Sequence, residues 1–326
     1  MRRFGLWLGR AMVALGVLLA GLWLLMPPEG VARTTIFDPA SLPSDLDIYL
    51  AQQEATHPGI TPGAEKRILW AGAKGAKTKI ALVYLHGFSA TAQEIRPVPD
   101  AVARALGANL YFARLTGHGL TGADLATATA GDWLNDLDEA LAIGRQIGST
   151  TILIGTSTGG TLAAIAATAP DAASQIKGIV FISPNFRLQP TASIILDMPA
   201  ARLWGPLIAG QTRSFPPQNE IHARYWTTSY PTLALFPMAA LVRHARALAY
   251  GTTKVPALFI FSDADQVVSP KETARIAAQW GGPVTLWKPV MGPGDDPYSH
   301  VIAGDALSPA QTQPTVRAIL NWALAL

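Results

Sequence analysis

Six short apolar runs, separated by stretches with helical periodicity, constrain this chain more than any other feature. Residues 80–85 (IALVYL), 109–113 (NLYFA), 151–154 (TILI), 179–182 (IVFI), 257–261 (ALFIF) and 284–287 (VTLW) are largely continuous rather than alternating. A strand covered on one face alternates apolar with polar residues, whereas a strand covered on both has no polar face to show. Helical spacing of apolar residues marks 132–147, 158–168, 271–280 and 313–325. Strands alternating with helices predict an α/β fold, a mostly parallel sheet with helices on both faces.

One stretch interrupts the alternation. Residues 187–254 hold seven prolines, several aromatics and no convincing strand, and are expected to form a cap inserted between two core strands. Residues 27–65 are rich in Pro, Ala, Asp and Thr. They read as a linker that becomes an edge strand or short helix near 46–53. The expected division is an N-terminal segment (1–30), a linker and edge element (31–65), a core from 66–186 and 255–326, and the cap (187–254).

The N-terminus accounts for the charge. The formal net charge is +3, yet Arg2, Arg3 and Arg10 are the only charged residues before Glu29, and beyond Arg10 the two signs balance. A general basic surface for nucleic acid is thereby excluded. Residues 11–26 are 16 uncharged residues in a row, about 24 Å as a helix. Extended back to Phe4, the run matches a hydrocarbon core of ~30 Å. Arg10 then lies near enough to the end to snorkel, and Trp7 and Trp23 fall near the two interfaces. The run is longer than the apolar region of a cleavable signal and ends in Met26-Pro27-Pro28, so an uncleaved transmembrane anchor is expected. The positive-inside rule then puts Arg2 and Arg3 in the cytoplasm and the rest of the chain outside it. Cleavage after Gly30-Val31-Ala32 would instead leave a secreted or periplasmic protein. The chain has no cysteine, which excludes disulfides, thiolate metal sites, a cysteine nucleophile and a lipid-modified cysteine.

Gly155-Thr156-Ser157-Thr158-Gly159 is a G-x-S-x-G pattern. It follows the run TILI and opens a small-residue helix, which is the setting a nucleophile elbow requires. So tight a turn needs small residues two before and two after the serine, and Gly155, Gly159 and Gly160 supply them. On this motif alone, a glycine-rich turn with an idle serine fits equally well. Upstream, His86-Gly87-Phe88-Ser89 directly follows IALVYL. There the backbone N–H groups of Phe88 and Thr158 can converge on one oxygen as an oxyanion hole. His86 is expected to hold that loop rather than react. After ALFIF, Asp263 and Asp265 both stand at the carboxyl end of a strand, where sites in open α/β sheets cluster. Among His57, His86, His118, His222, His244 and His300, only His300 lies in a loop after the last predicted strand. Residues 291–299 (MGPGDDPYS) are expected to be flexible enough to present it over the sheet. The chain order is then serine, acid, histidine.

With these pieces placed, the chain resembles the α/β-hydrolase family, and within it the carboxylesterases and monoacylglycerol lipases. The likeness covers about residues 78–326, with the cap aligned only by position. Arg114-Leu115-Thr116-Gly117-His118-Gly119 looks like the family's glycine–histidine–glycine turn, and Asp132-Trp133 like the pair that opens its next helix. Asp265-Gln266-Val267-Val268 resembles the acid loop, which favours Asp265 over Asp263. Ser299-His300-Val301-Ile302 resembles the histidine loop. Thr158 departs from the pattern, standing where bulkier residues are common, which alters the pocket wall but leaves the N–H in place.

The resemblance implies a serine ester hydrolase with Ser157, His300 and Asp265 as its triad, Phe88 and Thr158 as oxyanion donors, and neither cofactor nor metal. Monoacylglycerols, lysophospholipids or short-to-medium acyl esters are the expected substrates. An amidase, peptidase or acyltransferase would use the same triad, and a catalytically silent membrane-anchored binding protein is the reading from another class. The cap carries seven basic residues (Arg187, Arg202, Arg213, Arg224, Arg243, Arg246, Lys254) against Asp197 and Glu220. That excess is expected to face anionic lipid or an anionic substrate head, so the membrane is an expected partner through the N-terminal helix and the basic cap.

Overall fold

The computed structural model describes residues 2–326. Met1 and the side chains of Arg2, Arg3, Leu22, Trp23, Thr191 and Ala192 lie outside the description, and with them the interfacial places expected for Arg2, Arg3 and Trp23. The first helix, α1 (Arg2–Leu25), stands clear of the rest, with a mean hydropathy of 1.7 and no burial over residues 4–21. Among the described residues it is the one helix long and apolar enough to cross a membrane.

The chain after α1 is docked along its length rather than free. The Ala200 N–H donates to the Met26 carbonyl at 3.0 Å, Arg202 pairs with Glu29, and Arg33 pairs with Asp138. Where an edge strand or short helix was expected, α2 (Leu46–Ala55) forms. Asp45 caps it by accepting from the Ile48 N–H at 3.1 Å. Leu46 and Leu50, four residues apart, share the face it buries.

The central sheet begins with β1 (Arg67–Leu69) and β2 (Thr78–Leu85), followed by α3 (Val98–Leu106), β3 (Asn109–Phe112), the one-turn α4 (Gly122–Leu125) and α5 (Ala130–Ile147). Next come β4 (Gly148–Thr156), α6 (Thr158–Thr168), the one-turn α7 (Pro170–Ala173) and β5 (Ile176–Ile182). The chain then leaves the sheet for α8 (Ala201–Ala209), β6 (Thr212–Ser214), α9 (Glu220–Tyr225), β7 (Ser229–Pro231) and α10 (Leu235–Arg246). It returns with β8 (Ala257–Ile260), α11 (Pro270–Gln279), β9 (Val284–Trp287) and α12 (Pro309–Leu324). The seven strands lie in the order β1-β3-β2-β4-β5-β8-β9. All pairings are parallel except that of β1, which runs antiparallel to β3.

The central strands are apolar over their buried lengths because alternate residues feed opposite cores, whereas the edge strand β9, expected from its continuous apolar run to be covered on both faces, is largely exposed. Ala81, Val83 and Leu85 of β2 join the core under α5, α6 and α10, while Leu82 and Tyr84 join the one under α3 and α12. Phe181 stacks on Phe259 at 4.6 Å in the first core, and Val180 and Ile182 belong to the second. Pairing of Leu85 with Gly155 brings the carboxyl ends of β2 and β4 level. The loop after β2 and the turn after β4 therefore emerge side by side.

Some elements differ from the sequence expectation. The edge strand β1 and helix α3 were not foreseen, the first because three residues carry no periodic signal. Residues 187–254, expected to hold no strand, contain the β6–β7 ladder, with Arg213 paired to Tyr230. In that ladder β6 is exposed along its length and β7 buries only Tyr230, so no alternating hydrophobic pattern announces it.

The start of α6 is packed on the end of β2 so closely that a Cβ on Gly159 would fall on the Leu85 carbonyl oxygen. Gly159→Ala is therefore expected to destabilise the fold by about 3 kcal/mol, as overpacking at a site backed by main chain does, and the fall in Tm measures it.

Candidate active site

Ser157 occupies the turn between β4 and α6 with φ 50° and ψ −114°. An L-residue held there stores on the order of 1–3 kcal/mol of strain. Main-chain bonds hold it in place. Its N–H donates to the Ile182 carbonyl at 3.0 Å, and its carbonyl accepts from Thr161 at 3.1 Å and Asn185 at 3.0 Å. The hydroxyl projects from the top of the turn, 3.2 Å from His300 Nε2. On the other side of the imidazole, Nδ1 lies 2.9 Å from Asp265 Oδ2. The second carboxylate oxygen of Asp265 accepts the N–H groups of Val267 and Val268 at 2.8 and 2.9 Å, which fixes its plane. The structure thus brings Ser157, His300 and Asp265 into one hydrogen-bonded chain. Asp263 is exposed and paired with Lys288 instead.

His300 is mostly, though not fully, buried at the floor of the cleft, and that burial alone would disfavour its charged form. The carboxylate of Asp265, reinforced by Asp296 and Glu94, outweighs that and leaves its pKa above the ordinary imidazole value. Its Nδ1–H points at Asp265, so Nε2 is the atom free to accept a proton from the Ser157 hydroxyl.

The loop that carries His300, expected to be flexible, is fastened by a residue that the sequence reading did not single out. Asp296 accepts from the N–H groups of Tyr298 (3.2 Å), His300 (3.0 Å) and Val301 (2.9 Å). The Asp296 N–H donates to Ser308 Oγ at 3.0 Å, and the Gln266 N–H to the Tyr298 carbonyl at 2.9 Å. The Asp-Asp-Pro sequence in a glycine-rich stretch was the available signal, because a carboxylate two residues before a turn commonly accepts turn N–H groups.

The loop after β2 lies against the serine, and a Cβ on Gly87 would stand 3.1 Å from Ser157 Cβ. Among the described residues, neither the Phe88 N–H nor the Thr158 N–H donates to a protein acceptor. His86 braces the loop. Its Nε2 accepts the Leu115 N–H at 3.0 Å, so Nδ1 carries the proton and donates to the Gly87 carbonyl at 2.8 Å. Burial pushes its pKa down to about 4, which keeps it neutral. His118 packs edge-on against it at 4.9 Å, and burial depresses its pKa as well. Neither His57 nor His244 lines the cleft.

A cavity of about 490 Å³ opens above Ser157 and His300. Phe88, Phe215, Trp226, Tyr230, Leu235 and Met238 give it an apolar wall. His222 also lines it, stacked on Phe215 at 5.6 Å, with Nδ1 accepting the Gln218 N–H at 3.1 Å. Among the described residues, no group of three or more His, Asp or Glu side chains is arranged to hold a metal ion.

Comparison with known proteins bears on the family and the fold. The model of the alpha/beta hydrolase family matches residues 82–312. The thermostable monoacylglycerol lipase of Bacillus sp. (strain H-257) is 30% identical over 199 residues, which span 59% of this chain and 72% of that protein. Among solved structures, one from work on the metagenome-derived lipolytic enzymes LipS and LipT superposes with a TM-score of 0.67 at 24% identity, covering 82% of this chain and 100% of that one. The monoacylglycerol lipase of Paleococcus ferrophilus superposes at 0.57 with 15% identity, covering 80% and 98%. These two structures share the fold.

Asp296→Ala would strand the N–H groups of Tyr298, His300 and Val301 without an acceptor. Of the three, only the Val301 N–H is fully buried, so the expected result is a loss of about 2–3 kcal/mol, on the scale of ~1–3 kcal/mol for one unsatisfied buried group. Denaturant unfolding checks it.

Proposed function

The chain belongs to the α/β-hydrolase family, and on that premise we propose that it is a serine ester hydrolase acting on acyl esters of the monoacylglycerol or lysophospholipid kind, or on short-to-medium acyl esters. The observation that carries this reading is the hydrogen-bonded chain from Ser157 through His300 to Asp265, at 3.2 and 2.9 Å. The lipase names of its relatives support ester hydrolysis.

In this reading Ser157 attacks the ester carbonyl while His300 Nε2 takes its proton. Asp265 holds the imidazole in the required tautomer and stabilises the imidazolium. The carbonyl oxygen, as it becomes an oxyanion, takes up the N–H groups of Phe88 and Thr158, which have no protein acceptor to leave. Protonation of the alcohol by His300 releases it and leaves an acyl-enzyme on Ser157. A water that loses its proton to His300 then frees the acid and restores the serine. No step calls for a metal or cofactor. The apolar wall of the cleft suits an acyl chain, since small-molecule pockets are lined mostly by such side chains.

The membrane enters this reading through α1. The helix would hold the chain as an uncleaved anchor with the hydrolase outside the cytoplasm. The seven basic residues of 187–254 support a lipid-facing role less than their number suggests, because Arg202, Arg243 and Arg246 are engaged by Glu29, Asp197 and Glu272. A mature N-terminus near residue 33, found by protein sequencing, would overturn the anchor.

Two measurements test the chemistry. Ser157→Ala should lower hydrolysis of 4-nitrophenyl acyl esters by about 10⁴-fold or more and abolish labelling by a fluorophosphonate. Full activity in that variant would refute the site, and faster cleavage of matched anilides would favour an amidase. The pH dependence of kcat/KM should rise through an inflection above the ~6.5 of a free imidazole, because the raised pKa of His300 keeps the base protonated to higher pH.

A further inference from the structure

Glu94 is a buried carboxyl that the proposed mechanism does not use. It ends a short 3-10 turn (Ala92–Glu94) after β2, is 2% exposed, and has no cationic partner within salt-bridge distance among the described residues. A carboxyl placed so deep without a cation is costly unless its hydrogen bonds compensate. One oxygen, Oε1, accepts both the Tyr84 hydroxyl and the Gly87 N–H at 2.6 Å each. The Tyr84 oxygen in turn lies 2.9 Å from Thr156 Oγ1, on the residue before Ser157. The other oxygen, Oε2, lies 2.9 Å from where a Cβ on Gly87 would stand, and that point is 3.1 Å from Ser157 Cβ. Carboxyl and serine therefore both press on the face of Gly87 that a side chain would occupy.

The same turn also supports the histidine loop. A Cβ on Gly304 would stand 2.9 Å from the Glu94 carbonyl oxygen, and the Asp305 N–H donates to the Arg96 carbonyl at 2.9 Å. Glu94 thus sits where the end of β2, the glycine loop, the serine turn and the chain beyond His300 meet.

We propose that Glu94 is a positioning residue for the reaction assigned to Ser157, an inference that rests on that assignment. By holding the Gly87 N–H, it sets the direction of the next N–H in the chain, that of Phe88, and with it one of the two oxyanion donors. Its negative charge, when present, also favours the protonated form of His300.

The electrostatics agree with this placement. Burial pushes the Glu94 carboxyl up to about 7, against the opposing pull of the Tyr84 and Gly87 hydrogen bonds and of His300. On His300 the carboxylates of Asp265, Asp296 and Glu94 all act in the raising direction. Helix α9, which packs on the Ala92–Glu94 turn, adds Glu220, His222, Arg224 and Tyr225 to the titratable groups nearby. Arg96, two residues on, is engaged by Asp100.

The test separates clamp from charge and uses the full-length protein, with fluorophosphonate titration counting the active sites. Glu94→Gln keeps an oxygen for Gly87 and Tyr84 but removes the charge. It should retain kcat within about threefold while the acid limb of kcat/KM moves to lower pH. Glu94→Ala removes both and should lower kcat per labelled site by roughly tenfold or more with KM little changed, as a displaced oxyanion donor does. The proposal is overturned if kcat per labelled site in Glu94→Ala equals that of the parent, or if the acid limb of Glu94→Gln stays in place. If Glu94→Ala does not fold, the pH profile of Glu94→Gln still decides. Activity surviving in Ser157→Ala would defeat the site assignment itself, which is a separate outcome.

Discussion

The strained turn at Ser157 is the constraint on which the rest of the site depends. A φ of 50° is unfavourable for serine, and the turn closes only because glycine stands at 155, 159 and 160. A Cβ on Gly155 would stand 2.5 Å from the Gly159 carbonyl oxygen, and one on Gly160 would stand 2.8 Å from Pro184 Cβ. Three main-chain hydrogen bonds, to Ile182, Thr161 and Asn185, offset the strain. The same glycines let α6 approach the end of β2. The packing that makes the turn possible therefore also brings the Gly87–Phe88 loop against the serine.

Around that rigid turn, the remaining groups sit on loops whose order comes from carboxylates. Asp265 spends one oxygen on His300 and the other on its own loop. Asp296 gathers three N–H groups of the histidine loop, and Glu94 holds the glycine loop. Each acceptor meets main-chain donors that β-pairing leaves unused, because all three loops leave the sheet where its ladder ends. Proximity of Asp296 and Glu94 to His300 follows from this division of labour, and so does the elevated pKa of that histidine.

Much of this was legible in the sequence, for identifiable reasons. Strands buried on both faces are continuous in composition, so β2, β4, β5 and β8 were evident from their residues. Gly155, Ser157 and Gly159 sit at fixed spacing after such a strand, and that spacing is itself the geometry of the turn. The choice of Asp265 over Asp263 required the family resemblance, since both follow β8 and only the fold shows Asp263 turned to Lys288. Glu54, in a stretch read as linker, was hidden for a similar reason. Its fork to Arg114, at 2.7 and 2.8 Å, joins residues 60 positions apart, and it steadies the turn at His118. Short elements such as β1, β6 and β7 are stabilised by partners distant in sequence and carry no local periodicity to betray them.

Charge counting shows where sequence arithmetic stops. Residues 187–254 sum to a clear basic excess, but a sum does not say which charges face solvent alone. Glu29 and Glu272, both outside that stretch, neutralise Arg202 and Arg246 within it, and Asp197 engages Arg243. What the segment does expose beside the end of α1 is apolar: Leu203, Leu207 and Ile208 of α8 are 64%, 77% and 70% exposed. The Ala200 N–H, at the start of that helix, is the donor that holds the Met26 carbonyl. The chain emerging from α1 is therefore tied to the one helix of the segment whose outer face is most hydrophobic. Apolar surface, more than net charge, distinguishes this side of the molecule.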